Sequence, residues 1–186
     1  MASELIVQTI QGPSSGANAN KVLIPSGHTL DVSGGTLVPS AGQVVQTVDV
    51  VYNTQWAFTN LTYTDTTGFT ASITPTSSSN KILILFSIFL GINAANTTLI
   101  RINRNGSPIG ENPNLSTGTS FVDMYRNGQS TGLVARQFLD SPATTSTVVY
   151  QVQHKVDAAV TGYINRHLTN TVYGGQSNLT LMEIAQ

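Results

Sequence analysis

Short apolar runs separated by turn residues recur along most of the sequence, and no apolar stripe holds the 3.6-residue spacing of a helix over a useful length. Val148, Tyr150 and Val152 alternate with Val149, Gln151 and Gln153, which predicts a half-buried strand with one apolar and one mostly amide face. Asn, Gly, Pro, Ser and Thr bound each run, and the spacing predicts strands near 44–52, 56–63, 68–74, 81–90, 98–104, 119–126, 132–139, 147–155, 160–166 and 178–184. Asn105-Gly106 tolerates positive φ at two successive positions, so it should close a hairpin between 98–104 and the segment that follows. The run from Lys81 to Leu90 is apolar at both parities. It predicts a central strand whose second side is covered either by a neighbouring subunit or by the core of its own subunit.

About ten short strands without a helical period point to an all-β fold, a jelly-roll-like antiparallel β-sandwich. The first forty-odd residues have a different texture. Gly12 to Gly16, Pro25-Ser26-Gly27, Ser33-Gly34-Gly35 and Pro39 to Gly42 separate apolar pieces too short to hold a core. Residues 1–46 therefore read as an N-terminal β-stalk or anchoring arm, and 47–186 as the sandwich knob. Within the arm, Leu5, Ile6, Val7, Val22, Leu23 and Ile24 are the expected anchoring residues, because short exposed segments can add as strands to a partner's sheet edge.

Composition narrows the function classes. Charged residues are 9% of the 186, against about 25% in an ordinary soluble protein, and the net charge is −1. With no basic field to neutralise phosphates, nucleic acid is not an expected partner. The chain has no cysteine, which excludes thiolate chemistry and disulfides. The start carries an acid and no basic n-region, so no signal peptide is expected, and synthesis in a cytoplasm is. The apolar run 82–92 is about half the roughly 20 residues that a membrane helix needs, so membrane insertion is not expected either.

Few motifs carry chemistry. Gly12-Pro13-Ser14-Ser15-Gly16 has the letters of a nucleophile elbow but no helix pattern after it, so a flexible turn is expected there. His28, His154 and His167 stand at no metal-motif spacing, and His154 is expected as a partly exposed structural residue. The carboxylates do not cluster along the sequence. The chain is accordingly expected to be no enzyme, with no catalytic residue, cofactor or metal. The polar loops around Asn112 and Asn114, with Tyr125 and Arg126 nearby in sequence, offer amides, hydroxyls and a ring suited to sugar hydroxyls, so they are the expected contacts for a host glycan.

The segment NKVLIPSGHTLDVSGGTLVPSAGQVVQ at 20–46 resembles one that recurs near the start of bacteriophage tail-fibre and related virion proteins. SSSNKILILFSIFL at 77–90, IRINRNGSPIG at 100–110, FLDSPATTSTVVYQVQ at 138–153 and GGQSNLTLMEIA at 174–185 are similar to the terminal head domains of the same family. This resemblance implies a homotrimeric structural protein of the virion surface, made in the bacterial host's cytoplasm. It would be a short fibre or a capsid-decorating cement spike whose arm binds a major capsid, tail or baseplate protein. The alternative is a carbohydrate-binding, receptor-recognition module of a tail fibre.

Overall fold

The computed structural model describes residues 10–17, 19, 22–29, 38–114, 119–168 and 172–186. The chain divides into two units between Val38 and Pro39. In the first unit the described residues form bends and turns, with no helix after Gly16, whose φ is 88°. Leu5, Ile6 and Val7 lie outside the described residues.

The second unit contains β1 (Val44–Tyr52), β2 (Trp56–Phe58), β3 (Thr64–Ile73), β4 (Lys81–Ile92), β5 (Asn96–Arg104), β6 (Ser107–Ile109), β7 (Val122–Arg126), β8 (Ser130–Asp140), β9 (Val148–Val156), β10 (Gly162–Ile164) and β11 (Ser177–Ile184). All pairings among them are antiparallel. No helix among the described residues is long and apolar enough to cross a membrane.

In the first sheet, β8 pairs with β4 along one edge, from Ile82↔Asp140 to Ile92↔Ser130. The other edge of β4 is shared end to end by β11, at 81–87, and β10, at 90–92. Beyond them β1 pairs with β11 and β2 with β10. The second sheet repeats the plan: β3 pairs with β9 and β9 with β5, while the far edge of β5 is shared by β6 and β7. Counting β1/β2, β6/β7 and β10/β11 as single columns leaves eight in chain order, arranged 1-8-3-6 in one sheet and 2-7-4-5 in the other.

The two inner faces meet in one core. Phe69 of β3 stacks on Tyr52 at 4.6 Å and meets Phe86 of β4 at 5.8 Å, and Phe86 in turn meets Phe121 edge-on at 5.9 Å. On β4 the side chains of Ile82, Ile84, Phe86, Ile88, Leu90 and Ile92 are buried. Those of Leu83, Leu85, Ser87 and Phe89 point the other way and are only half-buried. The all-β sandwich is thus the fold, and the greasiest strand has one side in the core and one on the outer surface.

Several boundaries differ from expectation for local reasons. The expected strand 56–63 stops at Phe58, because residues 61–62 form a bend in which Leu61 is exposed. The expected strand 68–74 starts earlier, at Thr64, and absorbs a register shift against β9 between Asp65 and Thr70, beside Gly68 at φ 80°. Asn105 and Gly106, at φ 48° and 87°, close the hairpin into β6 as their sequence requires. Val44 already pairs with Ile184, so residues 44–46 belong to the sandwich.

Candidate functional site

The two outer faces of the sandwich differ in chemistry. On the β3–β9–β5 sheet, Arg101 of β5 lies with its guanidinium 3.8 Å from the Tyr63 ring centroid, and its Nε donates to Glu111 Oε1 at 2.6 Å. Lys155 of β9 approaches the same ring at 5.1 Å, and Gln153 Nε2 donates to Asp65 Oδ1 at 2.7 Å. The Tyr63 hydroxyl donates to the Thr119 carbonyl. Burial pushes this hydroxyl's pKa up, and the Arg101 charge offsets only part of that rise. Asp123 stands opposite Leu99 on the same sheet. Arg101, Glu111 and Asp65 on this face thus have partners within the chain.

The outer face of the β1–β11–β4–β8 sheet is nearly free of charge. Register places Met182, Leu83 and Leu139 in one row across β11, β4 and β8, and Phe89 beside Leu133 in another. Between the rows lie Thr180, Leu85 and Gln137, then Asn178, Ser87 and Ala135. These six, with Phe86 and Arg136, line a shallow groove of about 540 Å³, and the Arg136 guanidinium is engaged by the Phe121 carbonyl at 2.6 Å and lies 4.7 Å from the Phe121 ring. Leu133 and Leu139 are 63% and 48% exposed. At one border Asp49 of β1 accepts hydrogen bonds from Thr180 Oγ1 at 2.5 Å and Asn178 Nδ2 at 3.3 Å. At another, Lys81 opens β4 opposite Ile184.

The residues expected at functional positions are distributed as follows. Val22, Leu23 and Ile24 lie in the first unit with exposures of 55%, 59% and 44%. Asn112 Oδ1 accepts the Asn114 amide N–H at 3.0 Å in a local turn. Tyr125 is 62% exposed at the far end of β7, where Arg126 donates to the Tyr125 carbonyl at 3.1 Å and to Ser130 Oγ at 3.3 Å. The asparagine turn follows β6, which pairs with β5 at 102–104, whereas Tyr125 pairs with Thr97.

His154 differs from its expected exposure. Its side chain points inward from β9 and is 1% exposed, with Nδ1 2.8 Å from Thr66 Oγ1 and the ring 4.2 Å from that of Phe58. Burial lowers its pKa to about 4, against a smaller upward pull from Asp65. Alternation on β9 carried the signal for this, since His154 shares the parity of Val148, Tyr150 and Val152. Glu183, one of the carboxylates that do not cluster along the sequence, is buried as well. Its carboxylate accepts from Thr76 N, Thr76 Oγ1, Asn80 Nδ2 and Gln46 Nε2 at 2.7, 2.8, 2.7 and 2.6 Å. Burial alone would raise its pKa, but these donors outweigh burial and leave it below the ordinary carboxylate value. Among the described residues, no three His, Cys, Asp or Glu side chains are grouped to hold a metal ion.

No family model matches the chain, and no curated protein does. Among solved structures it is similar to dimeric latent PorU from Porphyromonas gingivalis, at 9% identity and a TM-score of 0.32. That alignment covers 78% of this chain and 14% of the other, so the chain spans about one seventh of that protein's length.

Proposed function

We propose that the protein is a non-enzymatic structural element of a bacteriophage virion surface, a homotrimeric jelly-roll knob held to the particle by its N-terminal arm. The observation that carries this reading is the apolar run Val22, Leu23 and Ile24, exposed in a unit distinct from the sandwich. Three consecutive aliphatic side chains left in solvent favour a segment that completes itself on another protein's sheet edge. The eight-column order 1-8-3-6 over 2-7-4-5 supports the jelly-roll description, because successive columns cross between the sheets at every step except from 4 to 5, which are hairpin neighbours in one sheet. Low charge supports assembly, since copies can pack without stranding ions between them.

Removing residues 1–38 tests the reading. The truncated chain is expected to remain a soluble β-rich oligomer that no longer joins particles, while substitutions at Asn112 and Asn114 leave incorporation intact. Normal occupancy of the truncated chain on virions would place the anchor elsewhere, and absence of the full chain from purified particles would end the structural reading. A second reading, a receptor-binding module for host glycans, is favoured by Tyr125, 62% exposed, whose backbone carbonyl accepts from the neighbouring Arg126 guanidinium. Glycan-array binding that disappears in Tyr125→Ala and Arg126→Ala would support it.

A further inference from the structure

We infer that the outer face of the β1–β11–β4–β8 sheet is the surface by which copies of this chain bind one another, the β8 border of one copy seating in the groove of the next. This assignment rests on the self-assembling reading above and names its contact surface.

Three features of the face select a second copy as its occupant. The first is shape. One face carries both a border of protruding leucines, Leu133 and Leu139, and a groove floored by Leu85, Ser87 and Ala135. A surface that holds a ridge and a trough at different positions fits a rotated copy of itself. Such a head-to-tail contact closes into a ring when the rotation is suitable, as in a trimer.

The second is charge. The face has one anion, Asp49, and one cation, Lys81, on different strands at different borders. A neighbour turned about an axis beside the face can bring opposite signs together, and the ion-free centre strands no charge. The amides of Gln137 and Asn178 and the hydroxyls of Ser87 and Thr180 both donate and accept, so they can pair with their own kind. The opposite outer face lacks this property, because its Arg101 and the carboxylates of Glu111 and Asp65 are engaged within one chain.

The third is the strand itself. β8 is an eleven-residue strand that pairs with β4 without a break and has no second strand partner among the described residues. It contains no proline, and its outward side chains Leu133, Ala135, Gln137 and Leu139 are uncharged. Edge strands that remain single-chain are usually short, bulged or guarded by charge; β8 is neither short nor bulged, and its two charged residues, Arg136 and Asp140, are engaged by the Phe121 carbonyl and by Arg104 and leave its outward side uncharged.

The test uses the full-length chain. Sedimentation of the wild type should give an oligomer. Leu133→Glu with Leu139→Glu should reduce it to a single-chain mass while the β signal persists, and Val149→Glu on the other outer face should leave the assembly unchanged. Because the chain has no cysteine, Ala135→Cys supplies a second readout independent of any folding defect in the double variant. A short bismaleimide should join copies through position 135 and fail to join them through Val149→Cys. An oligomer that survives both glutamates and cross-links only through 149 would overturn the face and leave self-assembly standing. A wild type that stays monomeric at micromolar concentration would overturn both.

Discussion

The ring of Phe58 on β2 lies 4.2 Å from the imidazole of His154 on β9, so a three-residue strand of one sheet caps the buried histidine of the other. β2 is held through pairs to β10, itself only three residues long. Trp56, the sole tryptophan, sits on the same short strand with its ring 6.5 Å from His154.

This arrangement makes stability depend on acid. The unfolded chain binds a proton at His154 near its ordinary pKa of about 6.5, whereas the folded chain does so only near 4. The folded state therefore holds fewer protons across that window, and stability falls as pH drops from 6.5 towards 4, by about 3 kcal/mol in all. Denaturant titrations at several pH values should show this slope, and His154→Gln should flatten it. An unchanged slope in that variant would assign the loss to another group.

Glu183 adds a second loss at lower pH. Its folded pKa is depressed, so its contribution is present above the unfolded carboxylate value and disappears as pH falls through the folded one. In Glu183→Gln the new amide nitrogen faces the Gln46 amide nitrogen, donor against donor. Melting at pH 7 should show a loss of about 2 kcal/mol, with the most acidic part of the pH dependence gone.

Asn165 should reveal how the shared column is held together. It adopts φ 57° just after β10, its Nδ2 donates to the carbonyl of Tyr52 at 2.6 Å, and its Oδ1 accepts from Ser177 Oγ at 2.6 Å. Those bonds tie the end of β1 to the start of β11. Alanine loses the bonds and keeps the left-handed backbone strain, whereas glycine loses the bonds alone. Asn165→Gly should thus be about 1 kcal/mol more stable than Asn165→Ala in chemical unfolding.

Sidedness of the strands is measurable in the same way. Ile84→Ala empties a fully buried site and should cost about 3 kcal/mol. Val149→Ala, on the outward side of β9 and 39% exposed, should cost about 0.5 kcal/mol or less. Similar losses at both positions would contradict the assigned faces.

Much of the sandwich was legible before any coordinates. The runs around 44–52, 81–90, 98–104, 132–139, 147–155 and 178–184 all became strands with ends shifted by a few residues. Their apolar content and flanking turn residues are local signals. The bend after Phe58 was not legible, since it requires knowing that β3 pairs with β9 from Thr64. The hairpin after 98–104 was legible from Asn105-Gly106, while the length of its second strand, three residues in β6, was not. The suggested glycan loops were legible as polar turns, with Asn112 in the turn after β6 and Tyr125 exposed on β7.

By itself the sequence determined an all-β chain whose first forty-odd residues differ in texture from the rest, because alternation, turn chemistry and low charge act over a few residues at a time. Only the tertiary structure decided which side of β4 enters the core, since Ile84 and Leu85 are equally apolar and pairing with β8 and β11 leaves the choice to the opposite sheet. It also decided that His154 and Glu183 are buried, and that charge gathers on one outer face while the other stays nearly uncharged. Those properties arise from strands far apart along the chain, brought into register by backbone hydrogen bonds that no local pattern encodes.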